Sequence, residues 1–432
     1  MMTGLDYLTG MRCLRCGRGY PPAPTRYVCE VCGDDGNLDA QYDYRRIAAD
    51  WDRDALAGDA DPAMWRYAPL LPVTAPPAYL SRSPLGSKPS TLATVGGTPL
   101  IAAPRIAAEV GVREVWIKDD GRNPTGSLKD RASAVAVLKA QEAEARVITT
   151  ASSGNAAAAL AGMAAAVGMR AVIFVPATAP SAKVAQLLVF GADVYLVEGT
   201  YDQAFDLCLA AAREYGWYCR NTGYNPYTVE GKKSVSLEIG EQLGWQAPDR
   251  VLVSVGDGNI ISGVWKGFHD LHQLGWMERM PRIYGIQAAG SDVLCTAWEA
   301  ETETITPIVA HTVADSISVG QPRDAVRALR AVRTTGGEYV RVGDDEILAA
   351  IPSLARGAAV FAEPSGAAAY AGLRALAAVG KLDPDDRIVV IATGSGLKDI
   401  ASAMKSVGQA ARIEPSLGSL DRALRLVAQV VD

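Results

Sequence analysis

The chain has 432 residues, 49% of them hydrophobic, with 42 basic and 48 acidic side chains and a formal net charge of -6. That length allows two or three domains around a large core, and the acidic balance argues against nucleic acid as the main partner. No apolar N-terminal segment follows a basic start, and no apolar run is long enough to span a bilayer, so a soluble cytoplasmic protein without a membrane partner is expected.

Residues 1–40 carry Cys13-x-x-Cys16 and Cys29-x-x-Cys32, with twelve residues between the pairs. Each pair can form a tight knuckle that presents two thiolates to one metal, and two knuckles make a closed tetrahedral site suited to a structural zinc ion. The alternative is a pair of disulfides or free thiols, and disulfides are disfavoured in the cytosol. The segment has little core of its own, which fits a zinc-ribbon-like unit held together by a metal. Cys208, Cys219 and Cys295 show no pairing pattern. Residues 41–95 are acidic and then rich in Trp, Pro and Tyr. They read as a lead-in, with the Pro-Ser-rich stretch 73–90 as a surface linker.

Pro124 and Gly126 make a tight turn. Ser127 is placed to N-cap a helix, with Asp130 three residues on as a weak capping-box partner. The run Leu128 to Leu138 has the apolar content of a buried helix. Lys129 then falls in its first turn, where the helix dipole disfavours a second positive charge and eases loss of the proton, as a Schiff-base lysine requires.

Strands and helices alternate from there. Strands are expected at Val147 to Thr150, Ala171 to Val175 and Val194 to Val197. Helices are expected at Gly154 to Val167, Ser181 to Phe190 and Tyr201 to Tyr215. This is the βαβ pattern of a parallel sheet covered on both faces, and residues 136–215 are read as a small α/β domain. Strands at Arg250 to Val255, Ile283 to Gln287 and Ile388 to Ala392, with a helix at Ser262 to Leu274, belong to a larger domain made of 96–135 and 216–432. Leu417 to Val431 reads as an amphipathic helix. The only histidines are His269, His272 and His311; the first two suit one helix face but have no third ligand nearby in the sequence, so neither a His-based hydrolase nor a His-rich catalytic metal site is expected.

Three loops at strand ends carry candidate chemistry. Thr150-Ala151-Ser152-Ser153-Gly154-Asn155-Ala156 opens a helix with free N–H groups and hydroxyls suited to a carboxylate. Val255-Gly256-Asp257-Gly258-Asn259-Ile260 lets backbone amides converge on a phosphate at a helix start; its spacing is neither the dinucleotide fingerprint nor a P-loop. Ala392-Thr393-Gly394-Ser395-Gly396 follows another apolar strand. Seen singly, each is equally a glycine-rich turn or a helix cap.

Asn123-Pro124-Thr125-Gly126-Ser127-Leu128-Lys129-Asp130-Arg131 resembles the cofactor-lysine motif of threonine synthases and their relatives, the pyridoxal-phosphate enzymes of fold-type II (tryptophan-synthase-β-like). The three loops stand in that family's chain order. Met64-Trp65-Arg66-Tyr67, Gly96-Gly97-Thr98-Pro99-Leu100 and Glu363-Pro364-Ser365 are similar to family stretches too, so the resemblance covers roughly residues 60 to 410. It implies two parallel-sheet α/β domains with pyridoxal 5'-phosphate between them, and a homodimer. By the same resemblance Lys129 forms the Schiff base and shuttles protons. Ser152, Ser153 and Asn155 hold the substrate α-carboxylate, and Asn155 also contacts the cofactor ring hydroxyl. Gly256, Asp257, Gly258, Asn259 and Ile260 hold the cofactor phosphate, with the Asp257 side chain expected to point away from it. Thr393 sets its hydroxyl against the pyridine nitrogen, and a hydroxyl does not force that nitrogen to stay protonated.

The resemblance implies a lyase or replacement reaction on an activated amino-acid substrate, with O-phosphohomoserine and water giving threonine and phosphate as the leading case. Two positions depart from the family. Thr228 stands where an arginine clamps the substrate phosphate, and Ser395 where a histidine is usual. Lys232 or Lys233 is either a compensating cation or a solvated surface charge. The alternatives are β-replacement on O-phosphoserine, as in cysteate synthase or a natural-product amino-acid step, and a catalytically silent ligand-sensing scaffold, against which an intact Lys129 argues.

Overall fold

The structure is a computed structural model and describes residues 3–73, 90–179 and 181–431; the expected linker at 73–90 lies outside the described residues except at its two ends. Strands β1 (Leu8–Cys13), β2 (Gly19–Tyr20), β3 (Val28–Cys29) and β4 (Gly33–Tyr42) form an antiparallel ribbon in the order β2-β1-β4-β3. From Gly36 on, alternate residues of β4 are buried, so Leu38, Ala40 and Tyr42 fasten the ribbon to the body of the protein. That is the period of two expected of a strand with one packed face.

Strands β5 (Leu100–Ala102) and β6 (Glu114–Asp119) begin a large sheet, and α1 (Lys129–Glu142) follows them. A second sheet comes next. Strands β7 (Val147–Ala151), β8 (Arg170–Pro176), β9 (Asp193–Val197) and β10 (Tyr218–Cys219) are all parallel, in the order β10-β7-β8-β9. Helices α2 (Asn155–Ala166) and α3 (Tyr201–Tyr215) lie among them in the chain. Gly162 lets α2 approach the loop before Lys129, because a Cβ there would stand 2.6 Å from Thr125 Cγ2.

Helices α4 (Tyr227–Lys232) and α5 (Ser234–Gln242) then lead back to the large sheet. Strands β11 (Arg250–Ser254), β12 (Arg282–Ala288), β13 (Tyr339–Val342) and β14 (Arg387–Ala392) complete it, with α6 (Asn259–Gln273) and α7 (Pro364–Ala378) between them. Its order is β13-β12-β11-β14-β6-β5, parallel throughout except for β5. Every residue of β7 and of β11 is buried, as strands covered by helices on both faces must be. The α/β class read from the alternation of elements is the class observed.

Two local expectations change. Ser127 does not cap α1: its hydroxyl is buried without a partner among the described residues, and the residue instead bridges to Gly394. Asp130 turns back to the preceding turn, accepting from the Thr125 N–H at 2.6 Å and from the Thr125 hydroxyl. The tertiary bridge to the β14 loop therefore overrides the local cap. Helix α6 starts at Asn259 rather than Ser262, directly after Gly258 at φ +83°. Asn259 and Ile260 of the expected phosphate loop thus belong to the first helical turn.

Candidate active site

In parallel α/β sheets ligands bind beyond the carboxyl ends of the strands, and four such ends meet here. The loops after β6, β7, β11 and β14 border one recess, with Lys129, Asn155, Gly256, Asp257, Gly258, Asn259, Ile260 and Thr393 in its wall. Thr222, Ser316, Glu363 and Ser365 line it as well. The Lys129 loop and the Thr393 loop are laced together: Leu128 N–H donates to Thr393 O at 2.9 Å, and Ser395 N–H to Gly126 O at 2.9 Å. Glu363 N–H donates to Gly394 O at 3.1 Å, which draws the start of α7 into the same corner.

The phosphate-binding potential lies at α6. The first N–H groups of a helix have no partner within it and carry the positive end of its dipole. Gly258 turns the chain into that helix so tightly that a Cβ would stand 2.8 Å from Ala328 Cβ. Gly256 passes close to Ile317, where a Cβ would stand 2.9 Å from its Cα. This glycine cradle fits a phosphorylated cofactor. Asp257 Oδ1 accepts from the Arg323 N–H at 3.4 Å, and burial pushes the carboxyl above the usual range despite Lys129 nearby.

Lys129 is held at a pKa of about 8, first by burial and then by the Arg220 charge, with Asp257 and Glu363 pulling the other way. The direction matches the expectation from the helix dipole, but burial and a neighbouring guanidinium are the causes. Asn155 Nδ2 donates to Glu363 Oε1 at 2.5 Å and to Ser316 Oγ at 3.4 Å. Burial raises the Glu363 pKa above the carboxylate range, against the Asn155 hydrogen bond. Ser152 and Ser153 sit in the turn before α2, outside the recess wall; the Ser152 hydroxyl accepts from Gly154 N–H at 3.1 Å.

Thr228 is buried, and its hydroxyl donates to Asn225 O at 2.8 Å. Lys232 and Lys233 are both fully buried, so neither is a solvated surface charge. Lys233 lies between Glu230 at 2.6 Å and Asp270 at 2.7 Å, while Lys232 donates to Asn259 Oδ1. Ser395 is outside the recess wall and starts a short 3-10 turn, accepting from Leu397 N–H at 3.4 Å.

Sequence reasoning missed several groups. Arg131 ends the lysine motif, and nothing in the sequence marks the buried ion network that it holds. Its guanidinium meets Asp120 at 2.8 Å and Glu238 at 2.5 Å, and Lys118 joins the same Glu238 at 2.7 Å. Arg220 and Thr222 follow the short strand β10, and no periodicity marks them. Ser316 lies in a short 3-10 turn, Asp315–Ile317, that no sequence pattern announces.

In the ribbon, Cys13, Cys16, Cys29 and Cys32 place their sulfurs within 4.8 Å of one another as free thiols, a cluster able to hold a metal ion. Tyr20 OH lies 3.0 Å from Cys29 Sγ. Among the described residues no helix is long and apolar enough to cross a membrane.

Comparison with known proteins agrees with this geometry. Residues 91–394 match the family described as pyridoxal-phosphate dependent enzyme. The chain is 36% identical over 416 residues to a threonine synthase of Methanocaldococcus jannaschii, covering 96% of this chain and 99% of that protein. It is 38% identical over 391 residues to a threonine synthase of Methanosarcina acetivorans, covering 90% and 92%. Among solved structures, the processed form of threonine deaminase isoform 2 from Solanum lycopersicum shares the fold, with a TM-score of 0.60 at 24% identity over 77% of this chain and 83% of that one. With a lysine, a glycine cradle and a buried carboxamide around one recess, and with these relatives along nearly its whole length, the chain belongs to the pyridoxal-phosphate dependent enzymes as a threonine synthase-like member.

Proposed function

We propose that the protein is a pyridoxal-phosphate-dependent lyase that converts O-phosphohomoserine and water to threonine and phosphate. The observation that carries this reading is the convergence of Lys129, Asn155, the 256–260 loop and Thr393 on one recess. When bound, pyridoxal phosphate supplies an electron sink that lets protons leave the carbons of an amino acid. The residues do the rest. Lys129 holds the cofactor through Nζ, and with a pKa of about 8 that nitrogen accepts and returns protons near neutral pH. The amides of Gly256, Asp257, Gly258, Asn259 and Ile260 hold the cofactor phosphate. Asn155 meets the ring hydroxyl, Thr393 the ring nitrogen, and Ser152, Ser153 and Asn155 the substrate carboxylate. The four cysteines hold a structural zinc ion. Residues 136–215, built on β7, β8 and β9, act as the small domain of a cytoplasmic homodimer.

A second reading, β-replacement on O-phosphoserine, is favoured by one observation: Thr228 bonds to Asn225 and offers no cation. The test is to mix the cofactor-loaded protein separately with O-phosphohomoserine and O-phosphoserine, following phosphate release and products by mass spectrometry. Threonine from the first substrate supports the primary reading. Turnover of phosphoserine alone replaces it with the second, and turnover of neither sinks both.

A further inference from the structure

Nine lysine and arginine side chains are buried among the described residues, and seven of them have a carboxylate partner, as Arg131 has Asp120 and Glu238. The two without one are Arg220 and Lys232, both fully buried. Burying a lone cation costs several kcal/mol unless an opposite charge meets it. They share one corner: after burial itself, the charges of Lys129 and Arg220 press the Lys232 pKa down, while Asp324 and Asp257 pull it the other way without pairing with it.

Both cations reach the recess wall through a neighbour. Arg220 donates from one Nη to Thr222 Oγ1 at 2.7 Å and from Nε to Ser133 Oγ at 3.2 Å; its second Nη is buried without a partner among the described residues. Lys232 donates to the side chain of Asn259. Thr222 and Asn259 are both in the wall. The carboxylate of Asp257 shares the region and is met by the Arg323 N–H rather than by either cation.

We propose that Arg220 and Lys232 form a clamp for a phosphate monoester dianion beside Lys129. A guanidinium with an unpartnered Nη and an ammonium are the donors that bind phosphate most strongly. The ligand has two sources, the cofactor and the phosphorylated substrate, and the second of these rests on the function proposed above. With threonine at position 228, the clamp gives this chain a cationic site that the local sequence there lacks.

The test uses cofactor-loaded protein titrated with inorganic phosphate by calorimetry, alongside cofactor affinity measured by absorbance. Wild type should bind phosphate; Arg220→Met should weaken it about tenfold or more, and Lys232→Met several-fold. Arg220→Lys, which keeps the charge and loses the fork, should fall between and guards against a variant that fails to fold. Weakened phosphate binding with cofactor affinity intact assigns the clamp to the substrate. Weakened cofactor affinity alone assigns it to the cofactor. Both quantities unchanged in all three variants, or no phosphate binding and unaltered cofactor affinity, overturn the clamp. Arg220-dependent phosphate binding in a protein that turns over neither phosphorylated amino acid leaves the clamp standing and removes the proposed function.

Discussion

Asn155 Nδ2 donates to Glu363 Oε1 at 2.5 Å, and this bond joins the starts of two helices that pack on the two different sheets. Asn155 begins α2 behind the small sheet, and Glu363 precedes α7 behind the large one. Glu363 is buried, so removing its amide partner exposes the full cost of an unsatisfied group, about 1–3 kcal/mol. Asn155→Ala is expected to weaken cofactor binding about tenfold and to lower kcat/KM at least as much. Absorbance titration of the apoprotein with pyridoxal phosphate measures the first, and steady-state phosphate release the second. Unchanged cofactor affinity would mean that this bond does not shape the site.

Lys129 gives a pH dependence with a definite sign. Its pKa is about 8 in the folded chain against the ordinary 10.5. Below pH ~8 the amine is protonated in both folded and unfolded chains, and the burial penalty is carried in full. Between roughly 8 and 10.5 the folded chain has shed a proton that the unfolded chain keeps, so this group makes stability rise with pH there. Cofactor attachment needs the neutral amine, so its rate should climb with pH and reach half its maximum near pH 8. Arg220→Met removes a charge that lowers this pKa, and the midpoint should move upward. Stopped-flow absorbance on the apoprotein checks both, and Lys129→Ala should show no attachment at any pH.

The parts of the site legible in the sequence are those fixed by local chemistry. Gly256 and Gly258 announce a backbone turn, the alternation of apolar runs announces β7, β11 and β14, and Lys129 stands in a motif. What the sequence leaves silent is set by tertiary burial. Nothing local says that Arg220 is fully buried without a carboxylate, or that Lys232 faces Asn259 rather than water. Ser127 shows the reverse failure, since its cap signal is sound locally but loses to the bridge with Gly394. Asn155 and Glu363 are 208 positions apart, and only the meeting of two sheets pairs them.

Arg131 is the centre of a buried ion network at the end of the lysine motif and should be the most costly single charge to remove. Its guanidinium is fully buried and donates to Asp120, Glu238, Ser234 and Thr98. Arg131→Met would leave Asp120 without its cation and Glu238 with Lys118 alone. Breaking such a buried set typically costs ~3–5 kcal/mol. Denaturant unfolding of the ligand-free protein should show a loss of that size. The double variant Arg131→Met with Asp120→Asn should recover part of it, because fewer charges remain unmatched. A loss below about 1 kcal/mol would place this network among the weak ones.

The ribbon should behave as a metal-dependent part of the whole molecule rather than an appendage. Its strand β4 sends Asp39 to Lys266 at 3.1 Å and the Tyr42 hydroxyl to Glu230 at 2.8 Å, both inside the large sheet's helical layer. Asn37 also donates to Arg323 O at 3.0 Å, beside the loop that meets Asp257. Binding energy at a four-thiolate site is folding energy, because the site does not exist in the unfolded chain. The purified protein is therefore expected to carry one zinc ion per chain by mass spectrometry. A strong chelator should lower its melting temperature and, through Asn37 and Asp39, reduce cofactor affinity as well. Cys29→Ser should do the same without chelator. Protein that holds no metal and melts at the same temperature with and without chelator would show that the four thiols work unaided.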